Sequence, residues 1–280
     1  MEAPAISVVV PTRNRAAYLE VTLRSLGAQQ GDVPYEVVVV DDGSGDSTGA
    51  VAEAAGVRCV RLDPGRGPSA ARNAGVAASS GALVAFVDDD VWAPPGWVSA
   101  LVDGAGRHPE SEAFGGPIRA RFEGPAPRSC GRETAPITTL DLGDEDRETD
   151  RAWSANMAVR RSAFERVGGF DEELPIYGEE EEWTTRLQAE GGTVTYLAAA
   201  GLDHRRAGDD ARLRSLARSE YRRGRASRRN DRRKGEEPTL PRELRNLAGA
   251  GWHTVRRACP QGLIMGAHSA GRLAEALRPR

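Results

Sequence analysis

Apolar residues in the first hundred positions are grouped in a way that predicts alternating strands and helices. Four short runs rich in Val, Ile and Leu have the length and composition of buried strands, at 6–10, 35–40, 57–62 and 83–87. Three stretches with helical spacing or capping signals follow them, at 16–29, 46–55 and 68–78. Near-continuous apolar strands joined by helices are typical of sheets covered on both faces, so we expect an α/β fold with a mostly parallel sheet.

Beyond residue 92 the pattern is less regular, and the region 115–150 has little periodicity and much Gly, Pro and charge. We predict further helices at 97–106, 162–167 and 179–190. Extended segments are expected at 114–122, 153–160 and 194–197. From residue 209 the chain is predicted to be helical, with a break at 237–241. The predicted organisation is a main domain over 1–208 and a basic helical C-terminal extension over 209–280.

Composition narrows the class of protein. Hydrophobic residues make up 39% of the 280 positions, enough for a core, and no apolar run approaches the length of a transmembrane helix. The N-terminus lacks the basic and apolar regions of a signal peptide, so we expect neither a leader nor a membrane span. Cys59, Cys130 and Cys259 are too widely spaced to suggest a disulfide framework or a zinc motif, and we expect a reducing cytosol.

Charge is unevenly distributed. Residues 205–234 contain twelve arginines and Lys234 against four acids, a net charge of +9, whereas the rest of the chain carries −12. Three interpretations remain open: a solvated helix that packs on the protein, an interfacial helix attracted to anionic lipid, or a site for an acidic partner. We do not expect nucleic-acid binding, because Tyr221 is the only aromatic residue there that could stack on a base.

Candidate chemistry lies where the predicted strands end. The strand at 83–87 is followed directly by Asp88, Asp89 and Asp90, and the first two strands end in the polar segments 11–14 and 41–44. Three adjacent carboxylates are too costly to bury unless a cation compensates them, and oxygen ligands suit Mg²⁺ or Mn²⁺. The carboxyl ends of parallel strands share one edge of a sheet, so these segments predict one site there. Taken alone, each could also be an ordinary solvated turn.

These segments and four later ones resemble motifs of the family 2 glycosyltransferases, whose fold is the GT-A type. The resemblance covers about Ile6 to Arg206, and each motif is weak alone, but the order of all seven is specific. The motifs are Val8-Val-Val-Pro-Thr-Arg-Asn14, Val38-Val-Val-Asp-Asp-Gly-Ser44, Ala71-Arg-Asn-Ala-Gly75, Phe86-Val-Asp-Asp-Asp90, Asn156-Met-Ala-Val-Arg160, Val167-Gly-Gly-Phe-Asp-Glu172 and Tyr177-Gly-Glu-Glu-Glu-Glu-Trp183.

The resemblance implies a donor site for a nucleoside-diphosphate sugar. Asp42 matches the acid that contacts the nucleotide base, and Arg72 and Asn73 match a helix start near the diphosphate and ribose. Further implied donor contacts are Pro11, Thr12, Arg13, Asp88 and Asp89. The resemblance also implies that Asp90 binds Mn²⁺ or Mg²⁺ directly and that His204 completes the metal or diphosphate site. A lone histidine could equally be a satisfied surface residue.

Inverting sugar transfer needs a general base, because the acceptor hydroxyl must lose its proton as it attacks. Alignment with the family pattern gives Glu180 this role and leaves Glu179 as the fallback, although family members usually have Asp there. An acidic first turn is also favoured by the helix dipole without any catalysis. For the acceptor, Trp153 and Asn156 are candidate contacts, and Trp183 is either a third or a core residue.

The expected activity is therefore metal-dependent, inverting transfer of a sugar from a UDP, dTDP or GDP donor to a sugar or lipid-linked acceptor. A role in bacterial cell-surface glycan or secondary-metabolite biosynthesis is expected, in the cytoplasm with possible peripheral contact to the membrane's inner face. Two alternatives are a non-catalytic sugar-nucleotide-binding protein and a Mg²⁺-dependent nucleotidyltransferase. The second would need a Gly-rich phosphate loop, whereas here Pro11-Thr-Arg-Asn14 leads at once into a helix.

Overall fold

The structure is a computed structural model that describes residues 3–124, 128, 130–131, 136–174 and 178–278. The chain divides into two compact units. The first comprises Met1–Arg119 and Thr139–His204, and the second comprises Ala120–Thr138 and Arg205–Arg280. The expected boundary lay after residue 208. In the structure, the insertion Ala120–Thr138 also groups with the C-terminal helices.

Among the described residues, eight strands form a mostly parallel sheet at the centre of the first unit, and two of them run antiparallel to the rest. The strands in the described part of the chain are Ile6–Thr12 (β1), Tyr35–Asp41 (β2), Arg58–Arg61 (β3), Leu83–Phe86 (β4), Val91–Trp92 (β5), Ala113–Gly115 (β6), Ile118–Glu123 (β7), Arg147–Glu148 (β8), Met157–Arg160 (β9), Val194–Tyr196 (β10) and Leu202–Ala207 (β11). The strand order in the sheet is β3-β2-β1-β4-β9-β6-β10-β8, and β1 pairs in parallel with both β2 and β4.

Both faces of this sheet are covered, as the apolar runs predicted. Val8 and Val10 belong to one buried apolar cluster and Val9 to another, because successive side chains of a strand point to opposite faces. The α-helices among the residues that the structure describes are Ala16–Gly27 (α1), Thr48–Ala54 (α2), Pro68–Ala77 (α3), Trp97–Arg107 (α4), Arg161–Val167 (α5), Glu179–Ala189 (α6), Leu213–Lys234 (α7), Leu240–Arg257 (α8) and Gln261–Ala276 (α9). The α/β prediction is confirmed.

The predicted extended segment 114–122 is two strands, β6 and β7, separated by Gly116 and Pro117. Strand β11 was not predicted from the sequence, whereas the end of the preceding strand, β10, was predicted to within one residue. A break in the C-terminal helices is present between Lys234 and Leu240. Tyr177, from the seventh motif, lies outside the described residues.

The second unit is built from α7, α8, α9 and the insertion. Its small apolar core includes Leu216 and Ile264 from the helices and Ile137 from the insertion. Arginines of α7 pair with acids of the same unit, among them Arg225 with Glu275 at 2.8 Å. Part of the basic charge of this helix is therefore neutralised inside its own unit. Among the described helices, none is long and apolar enough to cross a membrane.

Candidate active site

The strand ends of the first unit meet at one edge of the sheet, as expected. Thr12, at the end of β1, is paired with Asp41 at the end of β2. The Thr12 hydroxyl donates a 2.7 Å hydrogen bond to Oδ2 of Asp89, which follows β4. Gly43 has φ = +73°, a conformation that favours glycine and lets the chain turn directly after β2. The polar segments thus form one cluster although they are far apart in sequence.

Arg15 compensates the charge of the buried carboxylates, a role that sequence analysis missed. Its guanidinium lies 3.2 Å from Oδ1 of Asp89 and 2.8 Å from Oδ2 of Asp90. Burial lowers the pKa of Arg15, but the charges of Asp90 and Asp89 outweigh that effect and the net pKa is raised. The pKa of Asp89 is raised to about 7, because burial disfavours its charged form more strongly than Arg15 favours it.

Asp88, Asp90 and His204 form a possible metal centre. Each offers a ligand atom, and these atoms all lie within 4.8 Å of one another. His204 reaches the cluster because β11 pairs with β5, placing His204 opposite Val91, and its Nε2 atom lies 3.0 Å from Oδ1 of Asp90. Two carboxylates and an imidazole form a donor set that suits Mn²⁺ and also accommodates Mg²⁺. The residues present therefore fit a divalent cation.

Arg72 links this cluster to the acidic start of α6. Its guanidinium donates one hydrogen bond to Oε1 of Glu179, at 2.6 Å, and another to Oδ1 of Asp88, at 3.1 Å. Arg72 and Glu179 are each 4% exposed, so the pair is screened little by solvent. Burial lowers the pKa of Arg72, but the charges of Glu179, Asp88 and Glu180 outweigh that effect. The net pKa of Arg72 is therefore raised. Arg72 is thus an ionic contact between two groups of acids, a role the resemblance did not specify.

Glu180 and Glu179 differ in their contact with Arg72. Within the described part of the chain, each has a buried Oε2 atom without a hydrogen-bond partner. Burial raises the pKa of the Glu180 carboxyl to about 8, and the nearby Glu179 charge adds to the rise, while Arg72 opposes it. Glu179 already accepts a short hydrogen bond from Arg72. A carboxylate with a raised pKa and a free oxygen is suited to accept a proton near neutral pH.

Two expected donor contacts are engaged in local structure. The Asp42 carboxylate accepts hydrogen bonds from the backbone N–H groups of Arg66 at 2.5 Å and Gly67 at 3.1 Å, which fixes the loop before α3. Asn73 binds both backbone groups of Phe170, as donor to the carbonyl and acceptor from the N–H. A nucleotide contact by either residue stays a prediction.

The remaining donor candidates lie at or beside the same edge. Pro11 and Thr12 belong to β1, and the largely exposed Arg13 has a guanidinium nitrogen 3.7 Å from Oδ2 of Asp42. Their position agrees with a pocket lined by the end of β1, and their contact with a donor stays a prediction.

The acceptor candidates Asn156 and Trp183 are both buried, which is against an acceptor contact by Asn156 and agrees with the core alternative for Trp183. Asn156 is 1% exposed and accepts a hydrogen bond from Trp97 Nε1, and it donates to the carbonyls of Pro117 and Ala200. Trp183 is fully buried in the core, where its indole N–H donates to a backbone carbonyl. Neither side chain has a surface left for a sugar. Trp153 is half-buried and stays a candidate.

Solved structures share this fold. A mannosyltransferase from Pyrobaculum calidifontis, in complex with GDP-Man and Mn²⁺, superposes with a TM-score of 0.61 at 18% identity, over 98% of this chain and 72% of its own. The TarS protein of S. aureus superposes with a TM-score of 0.56 at 24% identity, over 77% of this chain and 39% of its own. At these identities the likeness shows the fold alone, which is of the GT-A type.

Curated relatives match at higher identity. The pre-mycofactocin glycosyltransferase of Mycobacterium tuberculosis is 33% identical over 211 residues, covering 71% of this chain and 43% of the relative. Validoxylamine A glucosyltransferase of Streptomyces hygroscopicus subsp. jinggangensis is 32% identical, over 69% of this chain and 53% of the relative. The chain spans about half the length of these relatives. The family model for glycosyl transferase family 2 matches residues 7–168. The chain therefore belongs to the family 2 glycosyltransferases.

Proposed function

We propose that this protein transfers a sugar, with inversion, from a nucleoside-diphosphate sugar to an acceptor hydroxyl, and that it needs a divalent cation. The observation that carries the proposal is that the first unit contains acids in two different environments. Asp88 and Asp90 lie with His204 in a cluster suited to a cation, while Glu180 is half-buried and, among the described residues, its Oε2 atom has no hydrogen-bond partner. Membership of the family supports the same reaction class.

In the proposed reaction, Glu180 removes the proton of the acceptor hydroxyl. The acceptor oxygen then forms a bond to the anomeric carbon from the face opposite the leaving group, and the bond from that carbon to the diphosphate oxygen breaks. The nucleoside diphosphate leaves with the bonding electrons, and Glu180 holds the proton. Positioned base catalysis of this kind contributes about 10²–10⁴-fold.

The leaving diphosphate gains negative charge as it departs. Asp90, Asp88 and His204 would hold the cation, Mn²⁺ or Mg²⁺, which supplies Lewis-acid stabilisation of that charge when bound. Arg15 lies against Asp89 and Asp90 in the same cluster. We propose that it keeps the acids close together and limits their mutual repulsion.

The donor is proposed to carry uracil, thymine or guanine, as UDP, dTDP or GDP. Structural relatives were solved with GDP-Man and with UDP-GlcNAc, so this fold accommodates both base types. The acceptor is proposed to be a sugar or a lipid-linked sugar of a surface glycan, or a small secondary metabolite.

Calorimetric titration of UDP, GDP, dTDP, ADP and CDP tests the donor site. Each nucleotide is titrated with Mn²⁺, with Mg²⁺ and with EDTA. We expect one nucleotide to bind tightly, and only with metal. Folded protein that binds none of them, with or without acceptor, would contradict the proposal.

The same titration with Asp90→Ala separates the metal site from the rest of the pocket. Asp90 provides a ligand atom and is 1% exposed, so the variant should lose the metal-dependent part of donor binding. Glu20→Ala, at an exposed acid of α1, is the matched control and should bind as the parent does. Unchanged affinity in Asp90→Ala would remove the metal site from this cluster.

We further propose that the protein is a cytoplasmic enzyme that contacts the inner face of the membrane through α8. Large apolar side chains along this helix are exposed: Leu244 by 53%, Trp252 by 68% and Val255 by 80%. Spacings of eight and three residues place them along one side of a helix. Arg245 and Arg256 beside them are also exposed and complement anionic headgroups.

Sedimentation with vesicles tests this contact. The protein should co-sediment with phosphatidylglycerol vesicles, and a much smaller fraction of it should co-sediment with phosphatidylcholine vesicles. Trp252→Ser combined with Val255→Ser should reduce sedimentation at least tenfold. Leu277→Ser, at an exposed leucine after α9, is the matched control. Equal sedimentation of all variants, or none with anionic vesicles, would contradict a lipid contact.

A further inference from the structure

Three metal-binding side chains from distant parts of the sequence meet in the second unit. They are Cys130 of the insertion, His253 of α8 and Cys259, which follows α8. Each offers one ligand atom, and the three atoms lie within 4.8 Å of one another. Their spacing in the sequence matches no zinc motif, so the sequence alone did not predict a metal site here.

The atom separations suit a tetrahedral centre. Sγ of Cys130 lies 3.4 Å from Nε2 of His253. With Zn–S near 2.3 Å and Zn–N near 2.0–2.1 Å, that separation corresponds to an S–Zn–N angle of about 100°, close to the tetrahedral value. Because Nε2 is the nearer ring nitrogen, the imidazole is already turned towards the thiol group.

The backbone between His253 and Cys259 is shaped to bring both side chains to one place. Ala258 ends α8 with φ = +48°, a left-handed conformation that costs an L-residue other than glycine roughly 1–2 kcal/mol. The turn directs the Cys259 N–H to the Thr254 carbonyl at 3.2 Å and leaves Cys259 only 3% exposed. A strained turn that buries a thiol beside an imidazole is a feature that bound metal would compensate.

We propose that Cys130, His253 and Cys259 bind one Zn²⁺ ion, with solvent as the fourth ligand. Two thiolates and an imidazole select a softer cation than the carboxylate cluster of the first unit does. Binding would release the thiol protons and join the insertion to the turn between α8 and α9. The ion would thus act as a staple within a unit whose apolar core is small.

Cobalt substitution in the full chain reports this site selectively. The protein is reduced with a phosphine, freed of metal and titrated with Co²⁺. Thiolate ligands give an intense near-ultraviolet charge-transfer band that carboxylates do not, so cobalt bound at Asp88 and Asp90 does not contribute to it. We expect the band to saturate at one Co²⁺ per chain and to be abolished by one equivalent of Zn²⁺.

Substitutions assign the ligands. Cys130 lies at the surface, so Cys130→Ser should fold normally, lose much of the band and bind Zn²⁺ at least tenfold more weakly. His253→Asn should also weaken binding at least tenfold while retaining the thiolate band. Cys59→Ser, at an exposed cysteine of β3, is the matched control and should match the parent. Asp90→Asn should leave the band unchanged, which separates this site from the carboxylate cluster.

Several results would overturn the proposal. Co²⁺ binding by the reduced protein without a thiolate band would overturn it, and so would a Cys130→Ser variant that keeps the parent's affinity and band. Recovery of Cys130 and Cys259 as a disulfide, with no metal uptake after reduction, would also overturn it. Melting curves give an independent check: Zn²⁺ should raise the Tm of the parent by several degrees and leave that of Cys130→Ser unchanged.

Discussion

The two compact units contain buried carboxylate oxygens that differ in their hydrogen-bond and ionic partners. In the second unit, Glu243 is fully buried and meets Arg272 at 2.8 Å and Arg228 at 3.4 Å. In the first unit, the buried Oε2 atom of Glu180 has no hydrogen-bond partner among the side chains and backbone that the structure describes. Glu243 is thus neutralised by two guanidinium groups, whereas one carboxylate oxygen of Glu180 has no partner in the described part of the chain.

The pKa values follow the same division. Burial raises the pKa of Glu275 in the second unit, but the hydrogen bond from Arg225 and the nearby guanidinium groups reverse this, and the net pKa is lowered. Burial raises the pKa of Glu180 to about 8, and the single charge of Arg72 is divided among Glu179, Asp88 and Glu180. A buried acid that only stabilises is matched by cations, whereas one that must exchange a proton is not.

The largest effect is expected for Glu180→Gln. The amide retains the size of the side chain but cannot accept the acceptor's proton, so transfer should fall by about 10²–10⁴-fold while donor affinity stays unchanged. Initial rates of sugar transfer and calorimetry of the donor check the two parts. Glu181→Gln, at the exposed neighbour, is the control and should transfer at the parent rate. A fully active Glu180→Gln enzyme would move the base to Glu179 or Glu181.

Glu243→Gln is the corresponding change in the second unit, and stability is the quantity that should respond. Removing the charge leaves Arg228 and Arg272 without their shared carboxylate, and breaking a buried pair of this kind costs about 3–5 kcal/mol. Urea denaturation followed by circular dichroism measures the loss. Glu236→Gln, at an exposed acid after α7, should change the free energy of unfolding little. Equal stabilities would mean that Glu243 is not the structural acid its contacts indicate.

Asn156→Ala should also lower stability, by about 1–3 kcal/mol, because it removes the partner of the Trp97 indole N–H and of two backbone carbonyls. The acceptor KM should stay the same. Trp153→Ala is the contrasting variant: Trp153 is half-buried, so its loss should raise the acceptor KM. An increased acceptor KM with unchanged stability in Asn156→Ala would return Asn156 to the acceptor site.

The smallest effect concerns pH. Glu180 must be ionised to accept a proton, and a pKa of about 8 leaves roughly a tenth of it ionised at pH 7 and nine-tenths at pH 9. The value of kcat/KM should therefore rise about tenfold over that interval. The residual activity of Glu180→Gln should lack this rise. A profile that is flat from pH 7 to 9 in the parent would separate the base from Glu180.

The parts of the molecule predicted well from sequence have strong local signals. Runs such as Val37-Val-Val-Val40 cannot be solvated, so their strands and their parallel arrangement follow from burial alone. The acids after β4 cannot be buried without compensation, so their place at the sheet edge also follows. Local pattern could therefore locate the edge of the sheet where the site lies.

Features that depend on tertiary contacts were missed. β11 contains Asp203, His204 and two arginines, with no apolar alternation, and is a strand because it pairs with β5. Arg15 lies close to Asp90 only once β1 and β4 are paired. Burial of Asn156 and Trp183 is equally a property of packing, and a motif that conserves spacing does not distinguish a ligand contact from a core contact.

The position of the insertion has a consequence for synthesis of the chain. Phe122 and Ile137 pack with Leu213, Leu216 and Ile264, which follow them by more than seventy residues. At ribosomal rates of about 5–20 residues per second, the partners of these apolar side chains are synthesised at least several seconds after the insertion itself. A fragment cut after residue 208 would lack those partners permanently. Any attempt to express the sugar-transfer unit alone must therefore shorten or replace residues 120–138 as well as remove the helices.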